Sequence, residues 1–62
     1  MSDKTKVETI YGKHYAVEIW RESHVIADTT YIIGIPERDE WRSGYTSLAD
    51  AMAGARRMAG LS

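Results

Sequence analysis

Residues 6–35 alternate between apolar and polar side chains with a period of two, and this pattern determines the fold class. One run covers residues 7–11 and the next covers residues 15–20, with Gly12 and Lys13 between them. Two β-like runs joined by glycine and one further residue are typical of a hairpin, because glycine adopts the positive φ that a type II′ turn requires. We therefore predict a β-hairpin whose turn contains Gly12 and Lys13.

A third β-prone run covers residues 25–35, after a polar break at residues 21–24. Asp28 lies within this run and marks either a bulge or a break in pairing. Pro36 ends the strand, since proline lacks the N–H that a central ladder requires. Three consecutive strands predict an antiparallel meander, and we expect residues 36–45 to form a charged connection that carries Trp41.

The C-terminal part of the chain predicts one α-helix. Ser47 is the expected N-cap, Asp50 completes a capping-box pattern, and Gly60 suits the left-handed position after the last turn. One helical face collects apolar side chains, namely Leu48, Ala51, Met52, Ala55, Met58 and Ala59. The predicted fold is α+β, a three-stranded antiparallel β-meander with one C-terminal helix packed on one face (β-β-β-α). Residues 6–62 form this single domain, and residues 1–5 are a flexible N-terminus.

The charge of the chain is nearly balanced, which bears on its partners. Eight Lys and Arg residues face nine Asp and Glu residues, for a net charge of −1. Such a chain has no global field that would attract nucleic acid or an anionic membrane. Cysteine is absent, and no apolar run reaches the length of a membrane span, so we expect a cytoplasmic protein.

The small size of the chain limits its stability. A domain of about 60 residues buries only about 60% of the surface that its unfolded chain exposes. Without disulfides or a metal, its core supplies about 3–5 kcal/mol. We therefore expect either a homodimer or a monomer that is stabilised by a protein partner.

No residue pattern nominates a catalytic or cofactor site. Ser23 and His24 are adjacent in a polar turn, where neighbours do not face each other as a nucleophile and its base must. His14 and His24 together still lack the third ligand of a zinc site. The carboxylates of residues 37–40 alternate with arginines, which is typical of a solvated loop. We therefore predict a protein that is not an enzyme, with no cofactor, no metal and no small-molecule substrate.

A sheet with one helix on it leaves its second face open to water. We expect one set of alternating side chains to pack under the helix, namely Tyr15, Val17, Ile19, Tyr31 and Ile33. The alternation then places other apolar side chains on the open face, namely Ile10, Trp20, Ile26 and Ile32. Apolar patches of this kind commonly mark interfaces, where Trp and Arg contribute most of the binding energy. The predicted partner-binding residues are therefore Trp20, Ile26, Ile32, Arg38, Trp41 and Arg42.

Two functions remain open from the residues alone. The first is a protein-binding module that docks through the open sheet face, a free strand edge or the 36–45 segment. The alternative is a nucleic-acid contact module built from arginines, namely Arg38, Arg42, Arg56 and Arg57. Four acidic residues within 37–50 weaken the field of these arginines, so we favour the protein-binding module.

The second half of the chain resembles the core of the HicB-type antitoxins. The shared pattern is Ile35-Pro36, then residues 44–52 (Gly-Tyr-Thr-Ser-Leu-Ala-Asp-Ala-Met), then Ala55. In that family, a strand ends in proline, a short loop follows, and a Gly-x-Thr entry leads into a helix of the Leu-x-acidic-Ala type. The resemblance implies a β-β-β-α domain that binds a small ribonuclease toxin and occludes it.

Overall fold

Four β-strands and one C-terminal α-helix follow one another in the computed structural model, which describes residues 3–26 and 28–61. They are β1 (Asp3–Tyr11), β2 (Ala16–Ser23), β3 (Thr30–Ile35), β4 (Glu40–Tyr45) and α1 (Leu48–Met58). The strands form one antiparallel sheet in the order β1-β2-β3-β4, and α1 lies mainly over β2 and β3. The predicted α+β fold with a C-terminal helix is confirmed, but the predicted number of strands is one too few.

The additional strand is β4, which replaces most of the predicted connection at residues 36–45. Pro36 begins a single 3₁₀ turn (Pro36–Arg38), and Asp39 then adopts a left-handed conformation with φ of 52°. These two features reverse the chain tightly, so β4 pairs antiparallel with β3. The strand was missed because five of its six residues are exposed, so the hydrophobic pattern of a buried strand is absent.

The core lies between α1 and one face of the central strands. Its buried side chains are Val17, Ile19, Ile33, Ile35, Ala51, Ala55 and Ala59. The small side chain of alanine lets the helix approach the sheet closely, as expected from the alanines on the predicted helix face. The apolar helix face predicted from the sequence included Leu48, but this side chain is 36% exposed. The predicted face did not include Gly54, which is buried.

The hairpin between β1 and β2 is confirmed, but the predicted reason for its glycine is wrong. Gly12 donates its N–H to the carbonyl of Tyr15 at 2.9 Å, which closes a four-residue connection. Positive φ values within residues 3–26 and 28–61 occur at Asp39, Gly44 and Gly60, so Gly12 is not in a type II′ conformation. Gly12 is instead required by space, because a Cβ there would lie 2.3 Å from the carbonyl oxygen of Ala59.

Two further strand boundaries differ from the predictions. β3 begins at Thr30 and not at Val25, so Asp28 precedes the strand and does not interrupt it; Ala27 lies outside the described residues. At the N-terminus, Asp3 to Thr5 extend β1 and pair with β2. β1 therefore begins within the segment predicted as a flexible N-terminus, and residues 1 and 2 lie outside the described residues.

Both ends of α1 have the predicted caps. The Ser47 hydroxyl accepts a hydrogen bond from the Asp50 N–H at 3.1 Å. At the other end, Gly60 has φ of 78°, and the N–H groups of Gly60 and Leu61 donate to the carbonyls of Arg57 and Arg56. This double hydrogen bond is a Schellman motif. The caps define where the helix begins and ends.

Candidate functional site

The sheet face opposite α1 carries both tryptophans of the chain. Trp20, Ile32 and Trp41, together with Lys4, line a cleft of about 400 Å³, which we call the tryptophan cleft. The four residues come from four different strands. The prediction that Trp20 and Ile32 lie on the open face is therefore confirmed, and Trp41 joins them from a strand and not from a loop.

Strand pairing places Trp20 beside Ile32. In β2, Val17 and Ile19 point into the core, so the alternation turns Trp20 to the opposite face. Trp20 and Ile32 are direct cross-strand partners in the antiparallel pair of β2 and β3. Their side chains therefore share one face and form the centre of the tryptophan cleft.

Trp41 reaches the cleft because its cross-strand partner is Gly34. A Cβ on Gly34 would lie 2.0 Å from Cε3 of the Trp41 indole, so the ring lies directly against the backbone of β3. Gly34 is buried beneath it, while Trp41 itself remains 44% exposed. The indole thus presents an apolar surface to solvent while its position on the sheet is fixed.

Each indole N–H is held by an acidic residue two positions earlier in the chain. Trp20 donates to Oε1 of Glu18 at 3.0 Å, and Trp41 donates to Oδ1 of Asp39 at 3.0 Å. Glu18 also accepts from Nζ of Lys6 at 3.3 Å through its other oxygen. These hydrogen bonds fix the plane of each ring and satisfy its polar atom, so the surface facing the cleft is apolar.

Lys4 is the charged member of the tryptophan cleft. It forms no ion pair within residues 3–26 and 28–61, in contrast to Lys6, which contacts Glu18. The cleft therefore combines an apolar interior with one positive charge, and the cross-strand partner of Lys4 is the acidic residue Glu22. Such a site favours an apolar group that carries a negative charge beside it.

Two apolar residues predicted for this face lie elsewhere. Ile26 is 97% exposed in the connection between β2 and β3, so it lies on no strand. Ile10 pairs with Val17 and packs against the core on the helix side. A bulge at Val7 shifts the register of β1 by one residue, which reverses the face of every residue after it.

The predicted partner-binding arginines are also separated from the tryptophan cleft. The Arg38 guanidinium donates to the Tyr15 hydroxyl at 2.8 Å, lies over the Tyr15 ring and contacts Glu40 at 3.0 Å. The hydrogen bond to Tyr15 and then the Glu40 carboxylate raise the pKa of Arg38 above its ordinary value. Arg38 therefore connects the β3–β4 turn to the β1–β2 turn, and Arg42 lies on the helix side of β4.

The four arginines of the nucleic-acid alternative do not line one common cleft. Arg42 and Arg57 line a second cleft together, whereas neither Arg38 nor Arg56 lines it. The sequence missed this separation because the register and the helix orientation, which decide it, are set by tertiary packing.

The sequence also missed four residues of the tryptophan cleft and its supports, namely Lys4, Glu18, Gly34 and Asp39. One signal was available: an acidic residue stands two positions before each tryptophan, as Glu18 before Trp20 and Asp39 before Trp41. Glu18 and Trp20 lie two positions apart on β2 and therefore share a face, which permits their hydrogen bond. Asp39 lies in the turn before β4, so its hydrogen bond to Trp41 depends on the left-handed backbone of that turn.

His24 lies in the connection between β2 and β3. His24 Nε2 lies 3.3 Å from the Thr30 hydroxyl and 3.7 Å from a Glu22 carboxylate oxygen, which places it in contact with neighbouring strand ends. Within residues 3–26 and 28–61, no group of three His, Cys, Asp or Glu side chains could hold a metal ion.

Both outer strands of the sheet contain a bulge. In β1, Val7 is inserted between the pairs formed by Lys6 and Glu8, and in β4, Ser43 and Gly44 together oppose Ile32. Bulges twist an edge and interrupt its ladder, which disfavours pairing with another strand. Of the three docking routes predicted from the sequence, the open sheet face is therefore favoured over a free edge.

Comparisons of the chain with protein families, with curated proteins and with solved structures found no match. The resemblance to the HicB-type antitoxins therefore stays a prediction. In the part of the chain that the structure describes, no helix is long and apolar enough to cross a membrane.

Proposed function

We propose that this protein is a small non-enzymatic binding module that covers a functional surface of a partner protein with its open sheet face. The observation that carries the proposal is the tryptophan cleft, where two indoles are held by hydrogen bonds while their apolar surfaces face solvent. Tryptophan is enriched among the residues that contribute most to protein–protein affinity. Fixed rings also lose little conformational freedom on binding, which favours affinity.

The chemistry of the cleft indicates what the partner presents. An apolar side chain would lie between Trp20 and Trp41 above Ile32, and a neighbouring carboxylate would approach the Lys4 ammonium, which forms no ion pair in the described part of the chain. We therefore expect a partner segment with a large apolar residue next to Asp or Glu. An inhibitor of this kind is antitoxin-like or phage-type, and the absence of cysteine supports a cytoplasmic setting for it.

The test measures affinity for a purified partner. The immobilised wild-type chain captures proteins from a nuclease-treated lysate, and the captured protein is then titrated by calorimetry against Trp20→Ala, Trp41→Ala, Lys4→Gln and Ile26→Ala. We expect each tryptophan variant to weaken binding by about 30-fold or more, which corresponds to about 2 kcal/mol. Lys4→Gln should weaken binding by several-fold, and more at low salt than at high salt.

Ile26→Ala is the matched control, because Ile26 is an exposed apolar residue outside the cleft. It should bind like the wild type, and urea unfolding should show that all four variants fold. Equal weakening by Ile26→Ala, or wild-type affinity in both tryptophan variants, would contradict the proposal. A homodimer in sedimentation equilibrium that both tryptophan variants dissociate would instead assign this face to a second copy of the chain.

A further inference from the structure

A second cleft, of about 240 Å³, lies between β4 and α1 on the side of the sheet away from the tryptophans. Its lining residues are Arg42, Tyr45, Gly54, Arg57 and Met58. We call it the arginine cleft. It brings together one guanidinium from the sheet and one from the last turn of the helix.

Neither arginine of this cleft is neutralised by an acidic side chain. Within residues 3–26 and 28–61, Arg42 and Arg57 form no ion pair. Glu40, which lies two residues before Arg42 on the same strand, is bound by Arg38 at 3.0 Å. Asp50 lies on α1 near its N-terminus and does not line the cleft. The cleft thus concentrates two positive charges in a chain whose net charge is −1.

Tyr45 adds a neutral donor to the lining of the arginine cleft. Its hydroxyl lies against α1, because Gly54 has no side chain; a Cβ there would lie 2.6 Å from that oxygen. The hydroxyl forms no hydrogen bond to a partner in the described part of the chain. Gly54 therefore opens the space that the cleft occupies and leaves a hydroxyl group free to donate.

We propose that the arginine cleft binds a phosphate monoester, the dianionic phosphate group at the end of a ligand. Two guanidiniums match its two negative charges, and each can donate a pair of N–H groups to phosphate oxygens. The Tyr45 hydroxyl supplies a further donor, so that three donor side chains line the cleft for a group with three terminal oxygens. This site is independent of the protein-binding function proposed for the opposite face.

The same arrangement fits a nucleic-acid backbone less well. A phosphodiester carries one charge per phosphate, and nonspecific nucleic-acid binding needs a row of cations along the backbone. Here Arg38 is held at Tyr15, and Arg56 does not line the cleft. The geometry therefore offers one concentrated site and no extended basic track.

The first experiment titrates the wild-type protein with methyl phosphate while ¹H–¹⁵N NMR spectra are recorded. We expect saturable shifts of the Tyr45, Gly54 and Arg57 amides, with a dissociation constant in the millimolar range because the probe is small. Dimethyl phosphate, which models a phosphodiester, and acetate should each bind at least about tenfold more weakly. This experiment uses only the wild-type protein, so its result does not depend on whether a variant folds.

Three substitutions that remove the charge of an arginine then locate the site. Arg42→Gln and Arg57→Gln should each weaken methyl phosphate binding by about tenfold or more. Arg56→Gln is the control, because it removes the same charge from the same helix outside the cleft. It should leave binding within about twofold of the wild type.

Several results would overturn the proposal. They are the absence of saturable shifts at the cleft, equal affinity for acetate, and equal loss of binding in Arg56→Gln and Arg57→Gln. Equal or tighter binding of dimethyl phosphate would replace the proposal with a nucleic-acid backbone site. Since all readouts are at the arginine cleft, they are unaffected if the function proposed for the tryptophan cleft fails.

Discussion

At the scale of single residues, the open sheet face depends on glycine as much as on tryptophan. Trp41 lies flat on the sheet because Gly34 presents no side chain beneath it. Its ring is then fixed by the hydrogen bond to Asp39, whose left-handed backbone also reverses the chain before β4. One small residue and one strained acidic residue therefore decide where a large apolar surface is presented.

Substitution of Gly34 by alanine tests this dependence. The backbone of Gly34 does not have a positive φ, so alanine is conformationally acceptable there, but its Cβ would overlap the Trp41 ring. We expect Gly34→Ala to lower the free energy of unfolding by about 1–3 kcal/mol, as overpacking does. In a Trp41→Ala background the same change should cost at least about 0.5 kcal/mol less, measured by urea unfolding as a double-mutant cycle. Strict additivity of the two substitutions would show that the ring does not lie on Gly34.

At the scale of secondary-structure elements, the ends of α1 are more strongly specified than its middle. The helix has only 11 residues, a length at which an isolated helix is marginal in water. Ser47 satisfies a free N–H in the first turn, and the Schellman motif at Gly60 satisfies two carbonyls in the last. These caps and the alanine contacts with the sheet together determine where the helix begins and ends.

The N-cap gives a prediction that distinguishes capping from packing. Ser47→Ala removes the acceptor for the Asp50 N–H and should cost about 1 kcal/mol of stability in urea unfolding. Ser47→Asn keeps a side-chain acceptor and should retain most of that stability. Equal losses in the two variants would indicate that the Ser47 side chain stabilises the helix through other contacts.

The sequence predicted those elements whose buried face leaves a periodic pattern. β2, β3 and α1 each place apolar residues in the core, and their type and order were predicted correctly. β4 has no fully buried residue, and Trp41 stands between the charged residues Glu40 and Arg42, so the segment has the composition of a loop. The composition of the tryptophan cleft was predicted only in part, because bulges set the register of both outer strands and no short-range pattern specifies a bulge at Val7.

At the scale of the whole molecule, stability depends on one thin layer of contacts. Of the seven buried hydrophobic side chains, three are alanines, so four branched aliphatic residues provide most of the buried volume. The other sheet face carries both tryptophans but contributes no side chain to this buried hydrophobic core. Truncations of core side chains should therefore cost more stability than truncations on the open face.

Substitution of two adjacent isoleucines on opposite faces tests this difference in stability. Ile33 is fully buried under α1, whereas Ile32 lies in the tryptophan cleft on the other face. Ile33→Ala should cost about 2–5 kcal/mol and leave the chain largely unfolded, since a domain of this size has only about 3–5 kcal/mol available. Ile32→Ala should remain folded in circular dichroism and thermal melts. A folded Ile33→Ala variant, or an unfolded Ile32→Ala variant, would mean that the core lies on the other face.

The shared location of Trp20 and Trp41 has a practical consequence for spectroscopy. They are the only tryptophans of the chain, and neither belongs to the buried core between α1 and the sheet. Ultraviolet emission excited at the indole band therefore originates from one side of the folded molecule. Any compound or protein that covers that side should shift the emission to shorter wavelength, whereas an occupant of the arginine cleft should leave it unchanged. The native protein thus carries an intrinsic optical label that distinguishes its two faces.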